Sequence, residues 1–183
     1  MTRTGRDGAP RNLLSGLRHL TSEQWHYVED HACHPCAEEA RLRLQAAHLC
    51  YDSSAESTGL QAAEALGVDP NRVLKTLMAE VDGTPVCVVV PADCEVSMKK
   101  LAAAFDGKTA SMMRPADAER LTGYHVGGIS PFGQKKRVKV AIEQAALSHL
   151  TIFVNGGQRG LQIEIDPNDA AIAAGAVAHA LTA

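Results

Sequence analysis

Residues 123–137 read Gly-Tyr-His-Val-Gly-Gly-Ile-Ser-Pro-Phe-Gly-Gln-Lys-Lys-Arg. Gly127, Gly128 and Gly133 bracket Pro131, and a basic run of Lys135, Lys136, Arg137 and Lys139 follows. Gly and Pro weaken strand and helix interiors, so this stretch is predicted to be a loop of chosen backbone geometry. Pro131 fixes its own φ and pushes Ser130 toward extended geometry. Such a loop can aim several backbone N–H groups at one anionic or carbonyl oxygen. The cations beside it suit a small group carried on a phosphate-rich molecule. Taken alone, the same residues also describe a glycine-rich hairpin followed by solvated lysines.

A second candidate is Lys75, within Arg72-Val73-Leu74-Lys75-Thr76-Leu77. A lysine flanked by apolar strand residues points outward as an edge charge or into a polar pocket. In a pocket it acts as a point charge on a phosphate or a carbonyl. The turn at 156–160, Gly-Gly-Gln-Arg-Gly, is either a plain hairpin loop or a second wall carrying Arg159.

Cys33-His34-Pro35-Cys36, with His26 and His31 nearby, is the rival constellation. Those residue types can bind Zn²⁺ or form a redox pair. No second Cys-x-x-Cys or His-x-x-x-His closes a four-ligand set, so incidental residues are the leading reading. Ser130 and His125 are close in sequence, but no Ser/His/Asp triad can be assembled. A hydrolase built here would rely on positioning and on backbone N–H groups stabilising an oxyanion.

The elements that must position these residues follow from pattern. Residues 11–47 read as irregular helix, with Thr21-Ser22-Glu23 as a start, Pro35 as a break and a second helix over 36–47. A short strand is expected at 48–52. Residues 59–66 form a helix stopped by Gly67, and 68–71 a turn. Strands are predicted at 73–81 and 85–91, joined by Asp82-Gly83, a strong hairpin signal. Helices follow at 96–105, begun near Ser97, and at 115–121, with Pro115 at the start. Further strands fall at 109–113, 138–142, 151–154 and 161–165, with a helical piece running to His149. Asp166-Pro167-Asn168-Asp169 opens an alanine-rich final helix. The elements mix without strict βαβ alternation, which argues for an α/β protein with a mixed, mostly antiparallel sheet surrounded by helices.

The chain has 183 residues, enough for one domain with a real core. Its net charge of −3 excludes a protein that coats nucleic acid with its whole surface, so any such contact is a local patch. No run approaches a membrane span, and the first residues lack a signal-peptide core. Five cysteines, an odd number, fit a reducing compartment, and a cytoplasmic location is expected. The first fifty residues hold five of the eight histidines and three of the five cysteines, which marks a soft boundary near residue 47.

From about Ser57 onward the chain resembles the YbaK family of aminoacyl-tRNA deacylases, relatives of the editing domain inserted in bacterial prolyl-tRNA synthetases. The likeness rests on Leu66-Gly67-Val68-Asp69-Pro70, on Val73-Leu74-Lys75-Thr76-Leu77, on the whole of 122–137, and on 152–161, in the same order and spacing. It implies the mixed α/β fold, a domain over 47–183 preceded by an atypical segment over 1–46, and hydrolysis of the ester joining a wrong amino acid to tRNA. Cysteine on proline tRNA is the substrate of the YbaK branch. The family's essential lysine falls on Lys75 and its GxxxP loop on 127–131, so the resemblance makes Lys75, Gly127, Gly128 and Pro131 catalytic. It puts Thr76, Thr58, Ile129, Ser130, Asn155, Gly156, Gly157 and Gln162 around the substrate, and Lys135, Lys136 and Arg137 on the tRNA.

In this branch the substrate's own thiol attacks its carbonyl, and neither metal nor cofactor is implied. The implied partners are the acceptor end of misacylated tRNA and prolyl-tRNA synthetase, with no DNA and no membrane. One stretch and three positions depart from the family pattern: His48-Leu49-Cys50-Tyr51-Asp52-Ser53-Ser54 matches poorly the aromatic, His/Asp-bearing stretch that follows the family's first strand. Thr58 stands where an aromatic is common, Asn155 where the last turn carries serine, and Gln162 where aspartate follows Gly-Leu. Those departures leave one alternative: a non-catalytic module that binds tRNA or a synthetase through a degenerate amino-acid pocket.

Overall fold

The computed structural model describes residues 25–26, 45–48 and 58–183. Its centre is a two-residue hairpin. Strand β3 (Val73–Val81) turns through Asp82 and Gly83, both at positive φ, into β4 (Thr84–Pro91). Two consecutive positive φ values are what a twisted two-residue hairpin requires. Val86 to Val90 are buried on both faces, as expected of a continuous apolar run in the middle of a sheet.

Seven strands lie within residues 73–179, and two short ones precede them, β1 (Trp25–His26) and β2 (Gln45–His48). After the hairpin come β5 (Ala110–Met112), β6 (Lys139–Glu143), β7 (Ile152–Asn155), β8 (Leu161–Ile165) and β9 (Ala176–His179). The sheet runs β1-β2-β8-β7-β3-β4-β6-β9, with β5 added to β3. The β3–β7, β4–β6 and β6–β9 pairs are parallel and the others antiparallel. The fold is therefore the mixed, mostly antiparallel α/β arrangement expected.

Helix α1 (Thr58–Leu66) packs Ala62, Ala63 and Leu66 against Val73 and Phe153. Gly67 follows it at φ +66, the left-handed geometry that ends helices. Helix α2 (Met98–Ala104) is capped by the Ser97 hydroxyl and buries Leu101 beside Val88 and Val90. Helix α3 (Pro115–Thr122) starts on its proline and covers the opposite face through Ala118. Strand alternation places Leu74 and Met78 on this second face, with Ile129, Val89, Ile142 and Ile165.

Three expectations fail on described residues. Residues 45–47 are not the end of a helix: Gln45–His48 pairs antiparallel with Leu161–Glu164. The helix expected to begin at Thr21 does not run through 25–26, where Trp25–His26 pairs with Ala46 and Ala47. The alanine-rich C-terminal helix is also too long. Helix α4 (Pro167–Ala174) stops at Gly175, φ +61, and Ala176–His179 becomes an edge strand parallel to β6. At 45–48 and 176–179 alanine's local helix preference loses to pairing with a distant strand. The expected strand over 48–52 meets the described one only at His48; residues 49–52 lie outside the described residues.

Candidate active site

The neighbours of β3 leave an opening. On the edge away from β4, strand β7 pairs only with Val73 and Leu74, and β5 only with Ala79, Glu80 and Val81. Between them, residues 75–78 have no strand beside them on that edge. A cavity of about 500 Å³ fills the gap. Residues 73–78 line it, with Met112 and Met113 at the β5 end, Asn155, Arg159 and Gln162 at the β7–β8 end, Thr58 and Gln61 from α1, and Val126, Gly127 and Ile129 from the loop.

Asp82 fixes the β5 end. Its carboxylate accepts from the Lys108 and Thr109 backbone N–H groups and from the Thr109 hydroxyl, at 2.8–2.9 Å. The Lys108 N–H is the largest of the influences holding this carboxyl below the ordinary carboxylate range, with the Thr109 bonds next.

Lys75 is half-buried, and its ammonium donates to the Ala92 carbonyl at 3.1 Å. Gly59 comes so close to this segment that a Cβ on it would lie 2.7 Å from the Ala92 Cβ. The first turn of α1 therefore sets the height at which the ammonium is held.

The loop is held by three ties. The Glu119 carboxylate accepts from the Val126 N–H at 2.9 Å, the main reason its carboxyl titrates below the usual range. The Arg159 guanidinium donates to the Val126 carbonyl at 2.8 Å. The Asn155 amide reaches the Gly127 carbonyl at 3.4 Å and the Gln158 carbonyl at 3.0 Å, while its oxygen accepts from Gly157 N–H at 2.7 Å. Asn155 thus ties the loop to the 156–160 turn.

Behind the loop, the Gln134 amide donates to the Ser130 carbonyl at 3.0 Å and to the Cys87 thiol at 3.4 Å. Burial pushes that thiol up to about 12, against the Gln134 bond. The Tyr124 hydroxyl donates to the Phe132 carbonyl at 2.8 Å.

Lys75, Thr76, Thr58, Gly127, Ile129, Asn155 and Gln162 meet on this one cavity. Gly128, Ser130, Pro131, Gly156 and Gly157 do not line it. They shape the loop and turn from behind. Gly128 allows the loop to touch the turn, since a Cβ there would lie 2.9 Å from Arg159 N. Ser130 is buried, with its hydroxyl accepting from Phe132 N–H at 3.2 Å. His125 faces solvent beside Glu119, so the two residues noted for a nucleophilic pair point apart. Lys135, Lys136, Arg137 and Lys139 are exposed on the segment leaving the loop.

Sequence reasoning missed Gln61, Glu119, Tyr124 and Gln134. Gln134 lies inside the motif stretch, and its amide amid glycines was the available signal; Glu119 and Gln61 gave none. Two cavity-lining side-chain atoms, Thr76 Oγ1 and Gln162 Oε1, are buried without a hydrogen-bond partner, and so is Gln61 Oε1. Buried polar atoms are nearly always satisfied, so a cluster of unpaired ones in a cavity marks a ligand site. Among the described residues no cluster of His, Cys, Asp and Glu can hold a metal ion. Cys33, Cys36 and His31 lie outside the described residues, as does the side chain of His26. No helix among the described residues is long and apolar enough to cross a membrane.

Residues 54–171 match the aminoacyl-tRNA editing domain family. The chain is 41% identical over 115 residues to EbsC of Enterococcus faecalis, named as a candidate Cys-tRNA(Pro)/Cys-tRNA(Cys) deacylase, covering 62% of this chain and 68% of that one. It is 32% identical over 117 residues to the uncharacterized protein YwhH of Bacillus subtilis, covering 63% and 74%. A crystal structure described as a candidate trans-editing enzyme for prolyl-tRNA synthetase superposes with a TM-score of 0.69 at 19% identity, over 76% of this chain and 87% of that one. At that identity the superposition speaks for the fold.

Proposed function

The chain belongs to the aminoacyl-tRNA editing domain family, and from that premise we propose that it is a trans-acting hydrolase of mischarged tRNA. Cysteinyl-tRNA for proline is its foremost substrate. The observation that carries the reading is the convergence of Lys75, the Gly127 loop and unpaired Thr76 and Gln162 on one gap in the sheet. The cavity's size suits an aminoacyl group rather than a whole nucleotide chain.

Lys75 supplies a positive charge at the cavity wall, held by one of its three donors and with two left for the substrate. It fixes the esterified end of the tRNA and steadies charge that develops on oxygen. Gly127 lets the main chain approach the reacting group, Gly128 lets the loop pack on the 156–160 turn, and Pro131 stiffens the loop from behind. No side chain in the cavity is an evident nucleophile. With a cysteinyl substrate, the thiol sulfur bonds to the carbonyl carbon and the C–O ester bond breaks. The thiol proton passes to the departing ribose oxygen, and water then opens the cyclic thioester. Lys135, Lys136 and Arg137 follow the acceptor strand, and prolyl-tRNA synthetase is the second partner. The unit carrying this activity is residues 47–183, and the preceding segment adds Trp25–His26 and the start of Gln45–His48 to the edge of its sheet.

The test is hydrolysis of cysteinyl- and alanyl-tRNA for proline by the purified protein, with Lys75→Met alongside. Turnover on one of them, reduced roughly 10²-fold or more in the variant, is expected for a lost electrostatic contact to the transition state. Binding of tRNA without turnover on any mischarged species would replace this reading with the non-catalytic one.

A further inference from the structure

The open edge of β3 presents main chain as well as side chains to the cavity. In an antiparallel ladder, successive residues direct their N–H and C=O groups to alternate sides. Val73 faces β4, since its carbonyl accepts from Ala92 N–H at 2.8 Å. Met78 faces the other way, since its carbonyl accepts from Met113 N–H at 3.0 Å. By the same alternation Lys75 and Leu77 face β4, and Thr76 faces away from it. The β7 ladder ends at Leu74 and the β5 ladder begins at Ala79, so the N–H and C=O of Thr76 point into the gap.

We propose that the aminoacyl group of the substrate pairs with the main chain of Thr76 as a one-residue antiparallel strand. Its carbonyl oxygen accepts from Thr76 N–H, and its α-ammonium donates to Thr76 C=O. This rests on the deacylase reading and deepens it. An aminoacyl group carries the same donor and acceptor, at the same spacing about one Cα, as any strand residue. It therefore completes an interrupted ladder, in the way extended peptides add to sheet edges. Residues directly opposite in such a pair project their side chains to the same face. An L-amino acid would then send its side chain to Thr76's own side of the sheet, where Ile129 and Ala118 line the cavity. The D-enantiomer would send it to the Lys75 side. The main chain thus reads chirality and the α-amine, and the side chains read size. Thr76 Oγ1 and Gln162 Oε1 remain as partners for the ribose hydroxyls and the ammonium.

Amide exchange of the full chain, resolved by residue, tests the pairing. In the free protein the Thr76 amide is expected to exchange far faster than those of Lys75 and Leu77; equal protection of all three overturns the open edge, whatever the substrate. The probe is 3′-amino-3′-deoxyadenosine carrying L-alanine through an amide, which the enzyme cannot hydrolyse as an ester. Saturation with it should slow exchange at Thr76. The propionyl counterpart, lacking the α-nitrogen, should bind at least about tenfold more weakly, as the loss of a hydrogen bond from a charged donor predicts. Thr76→Val should keep the protection, since it leaves the main chain intact. Thr76→Pro removes an N–H that no ladder uses, and should weaken the alanyl and propionyl probes alike, since both carry the carbonyl oxygen that it binds. A protein that deacylates mischarged tRNA and binds the probe with Thr76 exchange unchanged overturns the pairing and leaves the deacylase standing. A protein inactive on every mischarged tRNA, with no affinity for the probe, removes both.

Discussion

The Lys75 ammonium donates to the main-chain carbonyl of Ala92 at 3.1 Å, and Ala92 in turn is pressed by Gly59 at the first turn of α1. The position of the charge in the cavity therefore depends on a residue that never touches it. Gly59→Ala would put its Cβ 2.7 Å from that of Ala92. The expected destabilisation is modest, about 1–3 kcal/mol as for other overpacked sites. The effect on kcat is expected to be larger, because misplacing a reacting group by about 1 Å can cost roughly 10²-fold. Melting temperature and deacylation rate measured on the same variant separate the two; equal, small changes in both would contradict the linkage.

Gly128 serves the second contact of the site, between loop and turn. A Cβ at this position would lie 2.9 Å from Arg159 N and 3.0 Å from Gln158 C, both main-chain atoms that cannot swing aside. Gly128→Ala should therefore separate the loop from the 156–160 turn and strain the Asn155 tie. Its expected signature is a raised KM with a cost of about 1–3 kcal/mol in unfolding free energy. Kinetics and chemical denaturation together check this.

Asp82 should govern the acid limb of stability. Its carboxyl titrates below the ordinary value in the folded protein, chiefly through the Lys108 N–H bond. A group whose folded pKa is depressed contributes stability that is fully present above its unfolded pKa and is lost as pH falls through the folded value. Asp82→Asn should thus flatten the loss of stability below about pH 4, with little change near neutrality in slope. Because Asp82 anchors β5 at the end of the cavity, the wild-type protein should also lose probe binding across that acid window. Unfolding curves at several acid pH values report the first effect.

The basic run makes a separable contribution. Lys135, Lys136 and Arg137 are exposed, while Lys135 and Lys136 bond back to α3 only through their main-chain N–H groups. Replacing Lys135 and Lys136 by Ala should leave the loop in place and weaken tRNA binding. Each lost contact to a single-stranded phosphate lowers the salt dependence by about 0.7 in log–log slope. A titration of binding against salt that shows no change of slope would detach this segment from the RNA.

Much of this was legible locally. The β3–β4 hairpin carries its own instructions, since Asp82-Gly83 dictates the turn and the apolar run at 86–90 dictates burial. The same holds for α3, begun by Pro115 and ended by Gly123 in left-handed geometry. The gap that makes the cavity was not legible. It exists because β7 leaves β3 after Leu74 and β5 arrives at Ala79, and no local pattern encodes where a distant strand stops. Strand β9 was missed for the same reason: Ala176-Val177-Ala178 offers helix-friendly composition, and only the parallel register with Val140 to Ile142 makes it a strand. At the site, residue types pointed to Lys75 and the glycines. Glu119 and Gln134 act by holding the loop, a role that depends on what lies behind them.

The parallel contact of Val73 and Leu74 with Phe153 and Val154 closes the sheet on one flank of the hairpin, and the contact of β4 with β6 closes the other. Both join segments far apart in the chain, so their entropy of closure must be met before either is rewarded. The hairpin, whose partners are adjacent, can form early and alone. The slow event in the protein's self-assembly should then be the docking of β6 and β7 onto its two sides. The cavity, being the gap left on β3 between β5 and β7, would come into being only once β7 has docked.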